Sequence, residues 1–142
     1  MATVLQIADS VTAKLNSAVL SQVFTAERLY VPDFDLQDMR ELRVSVVPRE
    51  LTILAHDRTT SKYNARIDVA VQRKFEQGSN VEIDPLVALV EEIADLFRLK
   101  RLESMPEARC VQVEHPVIYS AEHWEQLRQF TSLLTLTFQL AR

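Results

Sequence analysis

Groups able to do chemistry are few in this chain. The metal-binding and nucleophilic candidates are His56, His115, His123 and Cys110, and they stand in no CxxC, HExxH or comparable spacing. Cys110 and His115 come nearest, but five positions along an extended strand turn two side chains to opposite faces, so one ion does not reach both. The residues read as holding no metal, with Cys110 a buried thiol and His115 a surface imidazole. Carboxylate pairs occur at Asp33 and Asp35 and at Glu91 and Glu92. General acid–base work asks two carboxylates to sit in differing surroundings inside a cleft. The first pair falls in a solvated acidic stretch and the second on the polar side of a helix, so neither is expected to be catalytic. No serine stands in a GxSxG setting. Gly78 is the sole glycine, which excludes the glycine-rich loops that cradle phosphates. The expectation is a protein without catalytic residues, cofactor or metal, and not an enzyme.

A cationic segment is the other chemical feature. Arg58, Lys62 and Arg66, with Arg73 and Lys74 further along, suit an acidic partner or a phosphate backbone, and equally a solvated strand edge guarded by charge. The whole chain has 20 acidic and 16 basic residues, a net charge of −4, which argues against a surface that coats nucleic acid. Its 142 residues, 47% apolar and 25% charged, fit one domain over residues 1–142 with a real core. Met1 to Ala18 lacks a basic leader and scatters polar residues among apolar ones, so neither a signal peptide nor a membrane span is expected. The lone cysteine is compatible with a reducing cytoplasm.

The elements that would position these groups follow from periodicity. Val4, Ile7, Val11, Leu15 and Ala18 recur at helical spacing and predict a first helix. Phe24 to Val31 favours a strand, and Pro32 to Glu41 an acidic loop. Leu42, Val44 and Val46 alternate with polar residues until Pro48 interrupts, and a strand resumes at Leu51. Polar Asp57 to Lys62 then precedes strict alternation from Tyr63 to Val71, which predicts a long antiparallel hairpin with a charged tip. Asp84 is the expected cap of a second helix with Pro85 at its first position. Its apolar face runs from Leu86 to Phe97, and Arg98, Lys100 and Arg101 complement the dipole at its end. Arg109 to Glu114 is a strand that bends at His115 before Pro116. Ser120 caps a short helical turn to Leu127. Thr131 to Leu140 closes the chain as a strand whose threonine row either faces water or pairs with a neighbouring subunit. The fold class is α+β: an antiparallel sheet of four or more strands with a long hairpin, and two main helices packed on one face.

That order of elements resembles the small tail-terminator and tail-completion proteins, and the head-to-tail connectors, of the neck of long-tailed bacteriophages. The likeness is carried by Glu50 to Gln72 (ELTILAHDRTTSKYNARIDVAVQ), Pro85 to Phe97 (PLVALVEEIADLF) and Glu114 to Phe138 (EHPVIYSAEHWEQLRQFTSLLTLTF). The resemblance implies a structural virion protein made in the host cytoplasm and carried in the tail or neck. Its subunits would form a ring, commonly of six, that caps the tail tube and docks the neck, with no cofactor and no membrane. The acidic balance would suit a lumen through which DNA slides without sticking. A cytosolic protein-binding module and a small accessory enzyme are the alternatives. For a ring, the expected subunit contact sets Arg58, Lys62, Tyr63 and Arg66 of a projecting hairpin against Asp33, Asp35 and Asp38 of the next copy.

Overall fold

Ile7, Ala8, Val11 and Leu15 form the buried stripe of helix α1 (Thr3–Ser17), as their spacing requires. The computed structural model describes residues 1–31 and 41–142. After α1 come the strands β1 (Thr25–Arg28), β2 (Arg43–Ala55) and β3 (Ser61–Lys74), then helix α2 (Asn80–Phe97). Strand β4 (Arg109–Val117), helix α3 (Ala121–Leu127) and strand β5 (Gln129–Ala141) complete the chain. The fold is α+β, one five-stranded sheet in the order β1-β2-β3-β5-β4 with helices packed on it.

The core follows from alternation. Ala65, Ile67, Val69 and Val71 of β3 lie beside Leu134, Leu136 and Phe138 of β5 and Val44 and Val46 of β2. All are buried in one cluster with the apolar stripes of α1 and α2. At its far end α1 also serves β1. The Asn16 side chain donates to Ala26 O at 3.0 Å and accepts from Ala26 N at 2.7 Å, standing in for a strand partner at that edge.

The structure differs from the sequence-based expectations in several places. The first strand is shorter, Thr25–Arg28, and runs parallel to β2, so the sheet is mixed and its other three pairings are antiparallel. Pro48 does not end a strand: β2 runs through it, absorbing the irregularity as a bulge between Pro48 and Glu50. Helix α2 starts earlier than Asp84, at Asn80 with Ser79 as its cap, and Pro85 lies inside it. Glu82 explains the early start. Its carboxylate reaches back to accept from Glu76 N at 2.6 Å and Gln77 N at 3.2 Å, which fixes the turn and holds its pKa below the usual carboxylate range. Pro85 removes only the bond to Val81 C=O, and Val81 is exposed to water. Helix α2 stops at Phe97, so Lys100 and Arg101 lie beyond it and Arg101 bridges to Arg109 instead. At His115 and Pro116 the expected bend is a bulge within β4, which continues to Val117. Strand β5 is interior, between β3 and β4, so its threonine row is no free edge.

Candidate functional site

Arg58, Lys62, Tyr63 and Arg66 all belong to the β2–β3 hairpin, and the structure places them in three different settings. Arg58 sits at the exposed tip and makes no ion pair among the described residues. The tip is ordered by Asp57, whose Oδ1 accepts from Thr59 N and Thr60 N, each at 2.8 Å. Those bonds, led by the one from Thr59, hold the Asp57 carboxyl down at about 2. The group is therefore ionised at neutral pH, and its hold on the tip is lost only as the pH falls from the ordinary carboxylate range toward that value.

Lys62 stands between Leu54 and Ala141 across the sheet, and Tyr63 between Ile53 and Leu140. By alternation they point to opposite faces, Tyr63 toward the helices. Arg66 is already engaged. Its guanidinium lies 3.4 Å from Glu50 on β2 and 3.4 Å from Glu114 on β4, spanning the face away from the helices. These half-exposed pairs contribute about 0–1 kcal/mol each. Arg66 is thus a stitch across this subunit's own sheet, with its guanidinium half-exposed. The expected acidic counterpart, Asp33, Asp35 and Asp38, lies outside the described residues.

The tip is no free two-stranded arm. Strand β5 flanks β3 to its end, where Ser61 N donates to Arg142 O at 2.6 Å and Arg142 N to Ser61 O at 2.9 Å. The Arg142 side chain reaches Thr3 and Gln6 of α1 at 3.1 Å. What projects on one side only is β2. From Arg49 to Ala55 every residue is exposed, including the large apolar Leu51 (37%), Ile53 (52%) and Leu54 (50%). Sequence reasoning read a strand here, resuming at Leu51, but not the exposure of its apolar residues. The available signal was its composition, six residues after Arg49 with one charge and no lysine or proline.

The face of the sheet turned from α1 and α2, against which α3 places His123, holds a buried polar row. Thr135 donates to Asp68 Oδ1 at 2.9 Å, and Arg49 lies 3.3 Å from Asp68 Oδ2. Gln129 Nε2 and His123 Nδ1 both meet Thr131 Oγ1, at 2.9 and 2.8 Å. Gln72 is fully buried in the same row, and neither its amide nitrogen nor its oxygen has a hydrogen-bond partner. Such a group costs about 1–3 kcal/mol.

The remaining reactive groups are placed as structure. His115 Nε2 and Ser132 Oγ lie 2.6 Å apart, and Ser132 in turn donates to Val117 O at 3.2 Å. With its proton so engaged, the serine accepts and the imidazole donates, the reverse of a nucleophile activated by a base. Burial pushes His115 toward the neutral form, partly opposed by Glu91, and Ser132 is wholly buried. Among the described residues no cluster of His, Cys, Asp or Glu converges as a metal site.

Cys110 is buried at 0% exposure, and desolvation pushes its thiol up to about 11. In the folded protein at pH 8 its labelling by a thiol reagent is expected to be slower than in urea by at least an order of magnitude. Equal rates would mean that Cys110 is accessible. Cys110→Ser and His115→Gln should both leave the circular dichroism spectrum and the assembly state intact; stoichiometric zinc in the purified protein, lost in either variant, would reverse that expectation.

No protein-family model matches the chain, and no curated protein matches it either. Among the described residues no helix is long and apolar enough to cross a membrane.

Proposed function

We propose that this chain is a structural protein of a phage virion, a ring-forming subunit at the tail end or neck that works as a tail terminator or head-to-tail connector. One observation carries the reading: β2 continues past its neighbour β1 as an exposed lip, with apolar Leu51, Ile53 and Leu54 along it and cationic Arg58 at its tip. Exposed apolar residues in a row on one sheet margin suit contact with another subunit. The order of elements that resembles tail-completion proteins gives that contact its setting. A ring subunit uses two different surfaces, one on each side, and the tip with Arg58 and Lys62 offers one of them. The acidic stretch carrying Asp33, Asp35 and Asp38 offers charge of the opposite sign. DNA would pass through the lumen without a binding site, and the protein would reside in the virion after synthesis in the host cytoplasm.

Arg58→Glu combined with Lys62→Glu tests the contact. Self-association, followed by light scattering at low salt, should weaken about tenfold or more while the circular dichroism spectrum stays unchanged. An unaltered assembly would remove the tip from the interface.

A further inference from the structure

Strand edges are hazards that proteins guard, and here one guard is missing. The outer edge of β4 is closed at Arg109 by its bridge to Arg101, bulged between Cys110 and Gln112, and lacks a donor at Pro116. Strand β1 covers β2 only from Arg43 to Val46. From Glu50 to Ala55 the outer side of β2 has no partner strand among the described residues, and it carries neither lysine nor proline.

The direction of its backbone groups follows from the far side of the hairpin. Ser61 exchanges both backbone bonds with Arg142. Its neighbour Lys62 therefore turns to Leu54 across the β2–β3 ladder, and alternation leaves the N–H and C=O groups of Leu51, Ile53 and Ala55 directed at the open edge.

We propose that this edge pairs with the same edge of a second copy, antiparallel, about a two-fold axis through Ile53. The sequence complements itself in that register. Ile53 faces Ile53 of the second copy, Leu51 faces Ala55, and Thr52 faces Leu54, so the outward backbone groups of one chain meet those of the other. Glu50 then comes opposite His56, with the pair repeated by the symmetry. Moving the axis to Thr52 sets Glu50 against Leu54 and loses that pairing. Moving it to Leu54 sets Leu51 against Asp57. Both readings use the β2 lip, but a two-fold contact closes on itself and joins two copies whereas the head-to-tail contact of a ring does not, so this pairing does not rest on that reading.

Sedimentation of the full chain tests the pairing together with single-cysteine variants. The unaltered protein should carry this two-fold contact, as a dimer or as edge-paired copies within a larger assembly, and Ile53→Lys, at a half-exposed site, should raise the dissociation constant of the pair at least tenfold with the fold retained. Under mild oxidation Ile53→Cys should cross-link two copies, because directly opposed residues on such a ladder lie about 5.5 Å apart at Cα, within disulfide reach. Leu51→Cys should not, since its counterpart lies four residues away along the strand; buried Cys110 gives no background. The proposal falls if the chain stays monomeric at its highest soluble concentration, if Ile53→Lys leaves the pairing unchanged, or if Leu51→Cys links as fast as Ile53→Cys. A larger ring that persists in Ile53→Lys, with no cross-link through Ile53→Cys, would overturn this edge pairing and leave the ring reading standing. A dimer lost in Ile53→Lys but indifferent to reversal of Arg58 and Lys62 would do the opposite.

Discussion

Val69→Asp should unfold the chain or lower its stability by about 4 kcal/mol or more. Val69 has no exposed surface and sits at the centre of the sheet, with Val46 on one side and Leu134 on the other. Every neighbour on its face belongs to the apolar cluster shared with α1 and α2. An aspartate there is charged, desolvated and without a cation. Urea unfolding measures the effect, and total stabilities of about 5–15 kcal/mol leave little margin for such a loss. A midpoint equal to the parent's would mean that the facing of the hairpin is wrong and that Asp68, its neighbour, points to the core.

Phe138→Ala comes next, with an expected loss of about 3–5 kcal/mol. Phe138 is fully buried on β5, between Ala65 of β3 and Cys110 of β4. Its ring meets Phe97 at the end of α2 edge-on, with centroids 6.2 Å apart. Truncation leaves a cavity beside the small side chains of Ala65 and Cys110, which cannot fill it. Because Phe97 is the last residue of α2, the variant should also fray that helix, seen as faster amide exchange in its final turn. Loss of less than about 1 kcal/mol would indicate that the helix end is not anchored through this ring.

What was legible in the sequence depended on the kind of force involved. Strict alternation from Tyr63 to Val71 located β3 and its buried row, because a shift of one residue would expose four aliphatic side chains. The stripe of α1 was equally clear. The prolines misled, since their local cost was weighed without the tertiary surroundings that absorb it: a bulge takes up Pro48, and an exposed first turn takes up Pro85. The parallel pairing of β1 depends on contacts between segments separated in sequence, which periodicity does not record. The same holds for the site. The charges of Arg58 and Lys62 were visible, but the engagement of Arg66 by Glu50 and Glu114 joins three strands and has no local signature. The open edge of β2 escaped notice for a related reason. Exposure of Leu51, Ile53 and Leu54 is a property of where β1 stops.

The central claim is that this chain is a structural subunit whose hairpin makes the contacts of an assembly, and native mass spectrometry of the purified protein addresses it most directly. The account predicts a closed oligomer of more than two copies that dissociates when Arg58 and Lys62 are both changed to glutamate. Single copies alone at every concentration, or the same distribution of masses in the parent and the double variant, would contradict it.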